Sequence, residues 1–342
     1  MFRITRGRNC NKPTNKIPVL LMHGLLMSSD CWLDAGPEAG IAYLLSDLCY
    51  DLWVPNTRGN YYSKKHIKLN PEKDIDFWDF SPFEFGYYDL PAFINYILDH
   101  TRSSKINFVG HSQGCSSFAI MNSERPEYNS KIGVSVLMSP ASRLTNMRSL
   151  FFRYLSNGYR VLMPFLHAIG IYEALPLGGL VQSTAAYICK EPLLADTVCR
   201  LALGVIDSLH PKSIELETMM LLVSHFPAGT SVKNMAYYGQ SVNVDDFLHY
   251  DYGIIKNLQM YGSVQPPPYN LSAVNVPAVI LQGRNDFLNS KADVEWFSSK
   301  IPNVLEFFYV VEPLWNHFDF TYSRLSSKLV LPKINQYLQK YS

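Results

Sequence analysis

Short apolar runs alternating with segments of helical period predict an α/β fold: a mostly parallel sheet, interrupted once by a long and mainly helical insert. Three observations carry that expectation. First, Ile17–Met22, Tyr50–Pro55, Ile106–Val109 and Val134–Met138 are brief, nearly continuous apolar stretches, as strands buried on both faces require. Second, helical patterns separate them; over Tyr88–Thr101 the apolar residues Leu90, Phe93, Ile94, Ile97 and Leu98 recur at helical spacing. Strands joined through helices imply parallel neighbours with right-handed crossovers. Third, the pattern changes after about Ser142 into a helical or irregular stretch rich in Leu, Met and aromatics. The alternation resumes only at Val276–Gln282, with a further strand expected at Glu306–Val311 and a last helix at Lys328–Tyr341. The expected organisation is a core made of residues 1–142 and 271–342, with residues 143–270 as a lid or cap over one end of the sheet.

Composition narrows the function classes. The chain has 342 residues, 47% apolar and 17% charged, with a net charge of +1. It therefore has neither the low hydrophobicity of a disordered chain nor the basic field of a nucleic-acid binder. Aromatics are abundant, with 22 Tyr, 19 Phe and 5 Trp, which suits either a large core or a surface that meets something apolar. The longest apolar stretch, Leu150–Ile171, is broken by Arg153, Asn157 and Arg160, so no transmembrane span is expected. Met1–Arg8 is followed by no apolar segment of signal-peptide type, and read literally it predicts a cytosolic chain.

The six cysteines show no CxxC and no Cys/His spacing for zinc, so neither a metal nor a cofactor is expected. Spacing alone reads all six as small buried thiols. Cys189 and Cys199, ten apart, remain open as a disulfide in an oxidising compartment. Asn270-Leu271-Ser272 is a single glycosylation sequon.

Gly110-His111-Ser112-Gln113-Gly114 matches G-x-S-x-G, between an expected strand and an expected helix at Cys115–Ser123. A nucleophile elbow needs that context. The serine occupies a strained turn, and Gly110 and Gly114 remove the side chains that would clash as helix and strand close up. In chain order an acid and then a histidine should follow. Only His317 lies beyond His249, and Asp286 stands just past the strand ending at Gln282, giving the order Ser112, Asp286, His317. Asp293, Glu312 and Asp319 are alternative acids in poorer positions: the first on an expected helix, the others beside His317 in sequence. Two amides would hold the oxyanion: that of Gln113, and that of Leu25 (Leu26 as second choice) in the His23-Gly24-Leu25-Leu26 loop after the first strand. His23 and His111 are expected to pack near the site without a catalytic role.

These motifs resemble the acid lipase family, the group that includes gastric and lysosomal acid lipases, and most of all its insect members. The resemblance runs through Leu21–Leu26, Tyr50–Val54, Asn56–Asn60, Phe77–Ser81, Tyr88–Ala92 and Gly110–Gly114. It continues through Ser123–Tyr128, Ala228–Val232, Tyr250–Gly253 and Trp315–Phe320, and so covers nearly the whole chain. It implies an α/β-hydrolase fold with a helical cap and hydrolysis of neutral lipid esters, acylglycerols and sterol esters among them. The implied roles are nucleophile for Ser112, acid for Asp286, base for His317, and oxyanion donors for Leu25 and Gln113. The resemblance also implies a Cys189–Cys199 bridge inside the cap, transient contact with a lipid interface, and a secreted or lysosomal setting. Family members carry a signal peptide and an opening segment ahead of the position of Phe2-Arg3-Ile4, which this sequence lacks. Two other readings are a carboxylesterase for small soluble esters and a non-catalytic lipid-binding protein of the same fold.

Overall fold

The computed structural model describes residues 1–10 and 17–342. In chain order its strands are β1 (Phe2–Ile4), β2 (Val19–Met22), β3 (Leu52–Val54), β4 (Ile106–His111), β5 (Ile132–Met138), β6 (Glu173–Ala174), β7 (Thr230–Ser231), β8 (Ala278–Gln282) and β9 (Val304–Tyr309). Seven of them form one sheet in the order β1-β3-β2-β4-β5-β8-β9. Only the β1–β3 pair is antiparallel. The short β6 and β7 form a separate antiparallel ladder.

The continuous apolar runs follow from burial on two faces. Successive side chains point to opposite sides of a strand. Leu20, Met22, Phe108 and Ile280 enter one core with Ile94, Phe118 and Phe297 of the helices Leu90–Thr101, Gln113–Glu124 and Lys291–Lys300. Val19, Leu21, Val109, Val136 and Val279 enter the other with Ile41, Leu45, Ile334 and Leu338 of Ile41–Asp47 and Leu331–Lys340. The edge strand β9 is only half covered.

Three features differ from expectation. Strand β1 is too short to show a period; it pairs with β3 and is fastened by Arg3, whose Nε and Nη2 donate to Asp51 at 2.8 and 2.9 Å. Cys10 and Cys49 are joined in a disulfide, Cα–Cα 5.1 Å, and are not the thiols that spacing suggested. A separation of 39 residues carries no local signal, and the two meet only because the chain folds back beside β3. The last helix is two: Ser326–Leu329 stops and Leu331–Lys340 restarts, with Pro332 in its first turn. Proline has no N–H to continue the earlier helix and clashes with its preceding turn.

Between β5 and β8 the chain is mainly helical: Leu150–Ala168, Leu180–Ile188, a run over 192–206, Leu216–His225, Val232–Ser241 and Ile254–Tyr261. The long helix Leu150–Ala168 lies along Val232–Ser241, where Gly239 lets the two backbones approach: a Cβ there would stand 2.3 Å from Ser156 O. Cys189 and Cys199 are bonded, with Cα atoms 6.0 Å apart, while Cys31 and Cys115 are buried thiols. Asn270 is exposed and precedes the turn Leu271–Ala273. Among the described residues no helix is long and apolar enough to cross a membrane.

Candidate active site

Strand β4 stands at the centre of the sheet, and the chain leaves it through Ser112 directly into the helix Gln113–Glu124. Ser112 has φ 54° and ψ −117°, a left-handed backbone rare for a residue with a Cβ. Its amide donates to Met138 O at 2.9 Å, and its carbonyl accepts from Cys115 N at 2.9 Å. The flanking glycines are sterically required. A Cβ on Gly114 would lie 2.5 Å from Met22 O, and one on Gly110 would lie 2.7 Å from the Phe108 ring. The helix therefore starts hard against the end of β2, with Ser112 lifted to the floor of a cavity.

His317 follows β9 in a loop. Its Nδ1 donates to Asp286 Oδ2 at 2.8 Å, which leaves Nε2 as the basic nitrogen. Asp286 is itself held on both oxygens: Oδ2 also accepts from Ser139 Oγ at 2.5 Å, and Oδ1 accepts from Asn289 N at 2.7 Å. The other acids lie elsewhere. Asp293 binds Arg143 and Asn146, Asp319 binds His210 and Ser213, and Glu312 is 4.0 Å from His210 Nε2. Burial pulls the His317 imidazole down, but the charge of Asp286, its hydrogen bond and the charge of Asp207 outweigh this and raise it above its ordinary value. No hydrogen bond joins the Ser112 hydroxyl to His317 among the described residues, although both side chains line the same cavity. Such bonds are often long until substrate is bound.

Two further histidines pack beneath. His23 accepts from Thr57 N at 3.2 Å through Nε2 and contacts Gly24 O at 2.8 Å through Nδ1; burial pushes it down to about 4. His111 bonds His317 O at 3.1 Å, and burial, together with the His317 charge, holds it well below its ordinary range. Both are neutral supports of the loops that carry Gly24 and His317.

The loop after β2 turns through Leu26, at φ 59°, whose carbonyl accepts from Ala228 N at 2.7 Å. Among the described residues neither the Leu25 nor the Gln113 amide donates to a protein group. The Gln113 side chain is tied back instead, with Oε1 accepting from Asn234 Nδ2 at 2.9 Å and Tyr238 OH at 3.1 Å.

Sequence reasoning missed three members of the site. Ser139, at φ 49°, and Asn289 brace Asp286, with Asn289 Nδ2 donating to Ser139 O at 2.6 Å. Asp207 lies 2% exposed at the end of the 192–206 run and accepts from His317 N at 2.7 Å. Burial and the nearby Asp286 charge raise its carboxyl to about 8, against the smaller opposing pull of His317 and two amide donors. The one available signal was an aspartate closing an otherwise apolar helix, Arg200–Ile206.

The cavity above Ser112 measures about 280 Å³. The core supplies Leu25, Leu26, Met27, Leu288 and Phe318; the 143–270 segment supplies Leu144, Met147, Phe151, Phe152, Leu155, Leu175, Val181, Ile206 and Phe226. The polar lining is Ser112, Tyr238, Asn289 and His317. Among the described residues no group of His, Cys, Asp and Glu side chains has a metal-holding arrangement.

A serine elbow at the centre of a parallel sheet, served by a histidine from beyond its last strand, is the architecture of the α/β hydrolases, and a family model for the alpha/beta hydrolase fold matches residues 17–164. A soluble variant of the monoglyceride lipase of Saccharomyces cerevisiae shares the fold at a TM-score of 0.60 and 15% identity, over 100% of this chain and 91% of that one. Closer relatives narrow the class. Lipase 3 of Drosophila melanogaster is 33% identical over 100% of this chain and 86% of its own length. Gastric triacylglycerol lipase of Bos taurus is 33% identical over 94% and 80%, and lysosomal acid lipase/cholesteryl ester hydrolase of Macaca fascicularis is 30% identical over 99% and 84%. The chain belongs to this family of gastric and lysosomal acid lipases and is a carboxylic ester hydrolase.

Proposed function

We propose that the chain hydrolyses neutral lipid esters, acylglycerols and sterol esters among them, with Ser112 as nucleophile, His317 as general base and acid, and Asp286 as its partner. The observation that carries this is a Ser112–His317 pair opening into a cavity whose walls are otherwise almost entirely apolar. His317 Nε2 takes the Ser112 proton as Oγ adds to the ester carbonyl. The Leu25 and Gln113 amides receive the oxyanion, and Asp286 balances the imidazolium charge. The proton then passes from Nε2 to the departing alkoxide oxygen. Water, deprotonated by His317, attacks the acyl-enzyme and releases the fatty acid.

Residues 143–270 act as the cap, supplying most of the acyl-chain wall. Outside the cavity Leu150, Tyr154, Val161 and Phe165 form an exposed stripe along one helix, suited to transient contact with a lipid surface. Two disulfides and an exposed sequon at Asn270 support a secreted or lysosomal setting, in keeping with the names of the relatives.

The test is Ser112→Ala, assayed with a fluorophosphonate label, p-nitrophenyl esters from acetate to oleate, and a triglyceride emulsion. Labelling should vanish and turnover should fall by about 10⁴-fold or more. Undiminished turnover overturns the nucleophile, and equal rates on acetate and oleate overturn the long-chain preference. On the acid side kcat/KM should fall as pH drops through the raised His317 value, because the protonated ring cannot accept the serine proton.

A further inference from the structure

Asp286 and His317 sit on separate loops, after the paired strands β8 and β9; the sheet fixes their roots as far as Gln282 and Tyr309, and one backbone bond, Asn285 N to Trp315 O at 3.0 Å, joins the loops beyond it. One carboxylate from the 143–270 segment touches both. Asp207 Oδ1 accepts from Phe287 N at 2.8 Å, one residue past the acid, and Asp207 Oδ2 accepts from the backbone N of His317 at 2.7 Å. The next residue repeats the span: Ser208 Oγ donates to Asn285 O at 2.6 Å, and Ser208 O accepts from Asn316 Nδ2 at 2.8 Å. Amide bonds to a carboxylate are charge-assisted and short. The rigid separation of its two oxygens therefore adds, to the Asn285–Trp315 bond, a constraint at the residues next to and at the reacting groups.

We propose that Asp207 is a positioning residue for ester hydrolysis: by holding the Phe287 and His317 amides on one carboxylate it sets the geometry of Asp286 against His317 and makes it depend on the 143–270 segment being seated. This rests on the reading of Ser112, His317 and Asp286 as the catalytic groups. The reason a carboxylate is needed is its two equivalent acceptors. A carboxamide offers one acceptor and turns an NH2 group toward a backbone N–H, so one loop loses its anchor and meets a second donor. Both Asp286 and His317 face the same carboxylate. Substitution therefore also alters the field around the base, but the holding of the two loops is the function.

The experiment compares the full chain with its Asp207→Asn and Asp207→Glu variants on a soluble short-chain ester. Active sites are counted with a fluorophosphonate, and the low-field proton resonance of the His317–Asp286 bond is followed by NMR. The folded Asn variant should lose about 10- to 100-fold in kcat with KM within about threefold. Its labelling should slow in proportion, and its low-field resonance should shift or broaden. The Glu variant keeps the charge and both acceptors but displaces them by one methylene, and it should recover part of the kcat. Wild-type kcat per labelled site and an unmoved resonance in the Asn variant overturn the proposal, as does a loss explained wholly by fewer folded molecules. Should the Asn variant not fold, the Glu variant decides: lowered kcat at unchanged KM supports the role, and wild-type kcat overturns it. Failure of the underlying reading looks different, because labelling would then persist in Ser112→Ala whatever happens at Asp207.

Discussion

The sheet and the segment inserted into it treat apolar side chains in opposite ways. In β2, β4, β5 and β8 every residue is buried, and the alternating faces each find a helical layer. Within the insert the helix Val232–Ser241 is buried throughout, but over 150–209 Val161 is 75% exposed, Leu180 84% and Leu201 59%, and Val198, Val205 and Leu209 also face outward. A stable core has no use for such residues, and soluble proteins seldom leave them contiguous. The contrast separates a part that closes on itself from a part that leaves apolar side chains facing outward, with the cavity where they join.

The comparison can be broken hardest at that join. Asp286→Asn should leave the fold intact yet cut kcat by about 10⁴-fold, equivalent to about 5.5 kcal/mol of barrier; a loss under tenfold on a soluble ester would remove Asp286 from the chemistry. Next come the two disulfides, one in each region. Chain-entropy reasoning gives about 4 kcal/mol for the 39-residue Cys10–Cys49 loop and about 3 kcal/mol for the 10-residue Cys189–Cys199 loop. Denaturant titration of the Cys10→Ser and Cys189→Ser proteins should therefore show the first to be the costlier, and the reverse order would mean that the insert carries more of the stability than its exposure suggests. A smaller effect is expected from Val161→Asp combined with Phe165→Asp. Emulsion turnover should drop about tenfold, or about 1.4 kcal/mol, with the soluble-ester rate kept; equal losses on both would place that stripe in folding instead.

The smallest effect concerns His210, where the insert grips the loop that carries His317 by bonding Asp319 at 2.7 Å. Burial opposes its charging, but the Asp319 hydrogen bond and charge, with Glu312, outweigh it and raise it above its ordinary value. A raised histidine contributes stability that is complete below its unfolded value near 6.5 and is lost as pH rises through the folded one. His210→Ala should therefore cost about 1 kcal/mol near pH 5 and progressively less above neutrality. A thermal midpoint difference that is the same at both ends of that range would refute the pairing.

What the sequence discloses follows from how local each constraint is. Strands buried on both faces are written as continuous apolar runs, so the parallel sheet is legible, and the elbow is legible because its steric demand places Gly110 and Gly114 two residues either side of Ser112. Chain order singles out Asp286, and the structure places it within a hydrogen bond of His317. Ser139 meets Asp286 across 147 residues and Asp207 meets His317 across 110; such contacts exist only after folding and leave no periodic trace. The Cys10–Cys49 bridge and the three-residue β1 escape for the same reason.

The nearly unbroken hydrocarbon wall around Ser112 also bears on the second half of the reaction. On the proposed mechanism, hydrolysis is completed only by the nucleophile that reaches the acyl-enzyme, and among the described residues the other polar side chains lining that wall are Tyr238, Asn289 and His317. A chamber of this composition ranks incoming acceptors by their oil solubility as well as their abundance. The same mechanism then has alcohols dissolved in a lipid phase competing with water for the acyl group, and where water is scarce it would run toward ester synthesis.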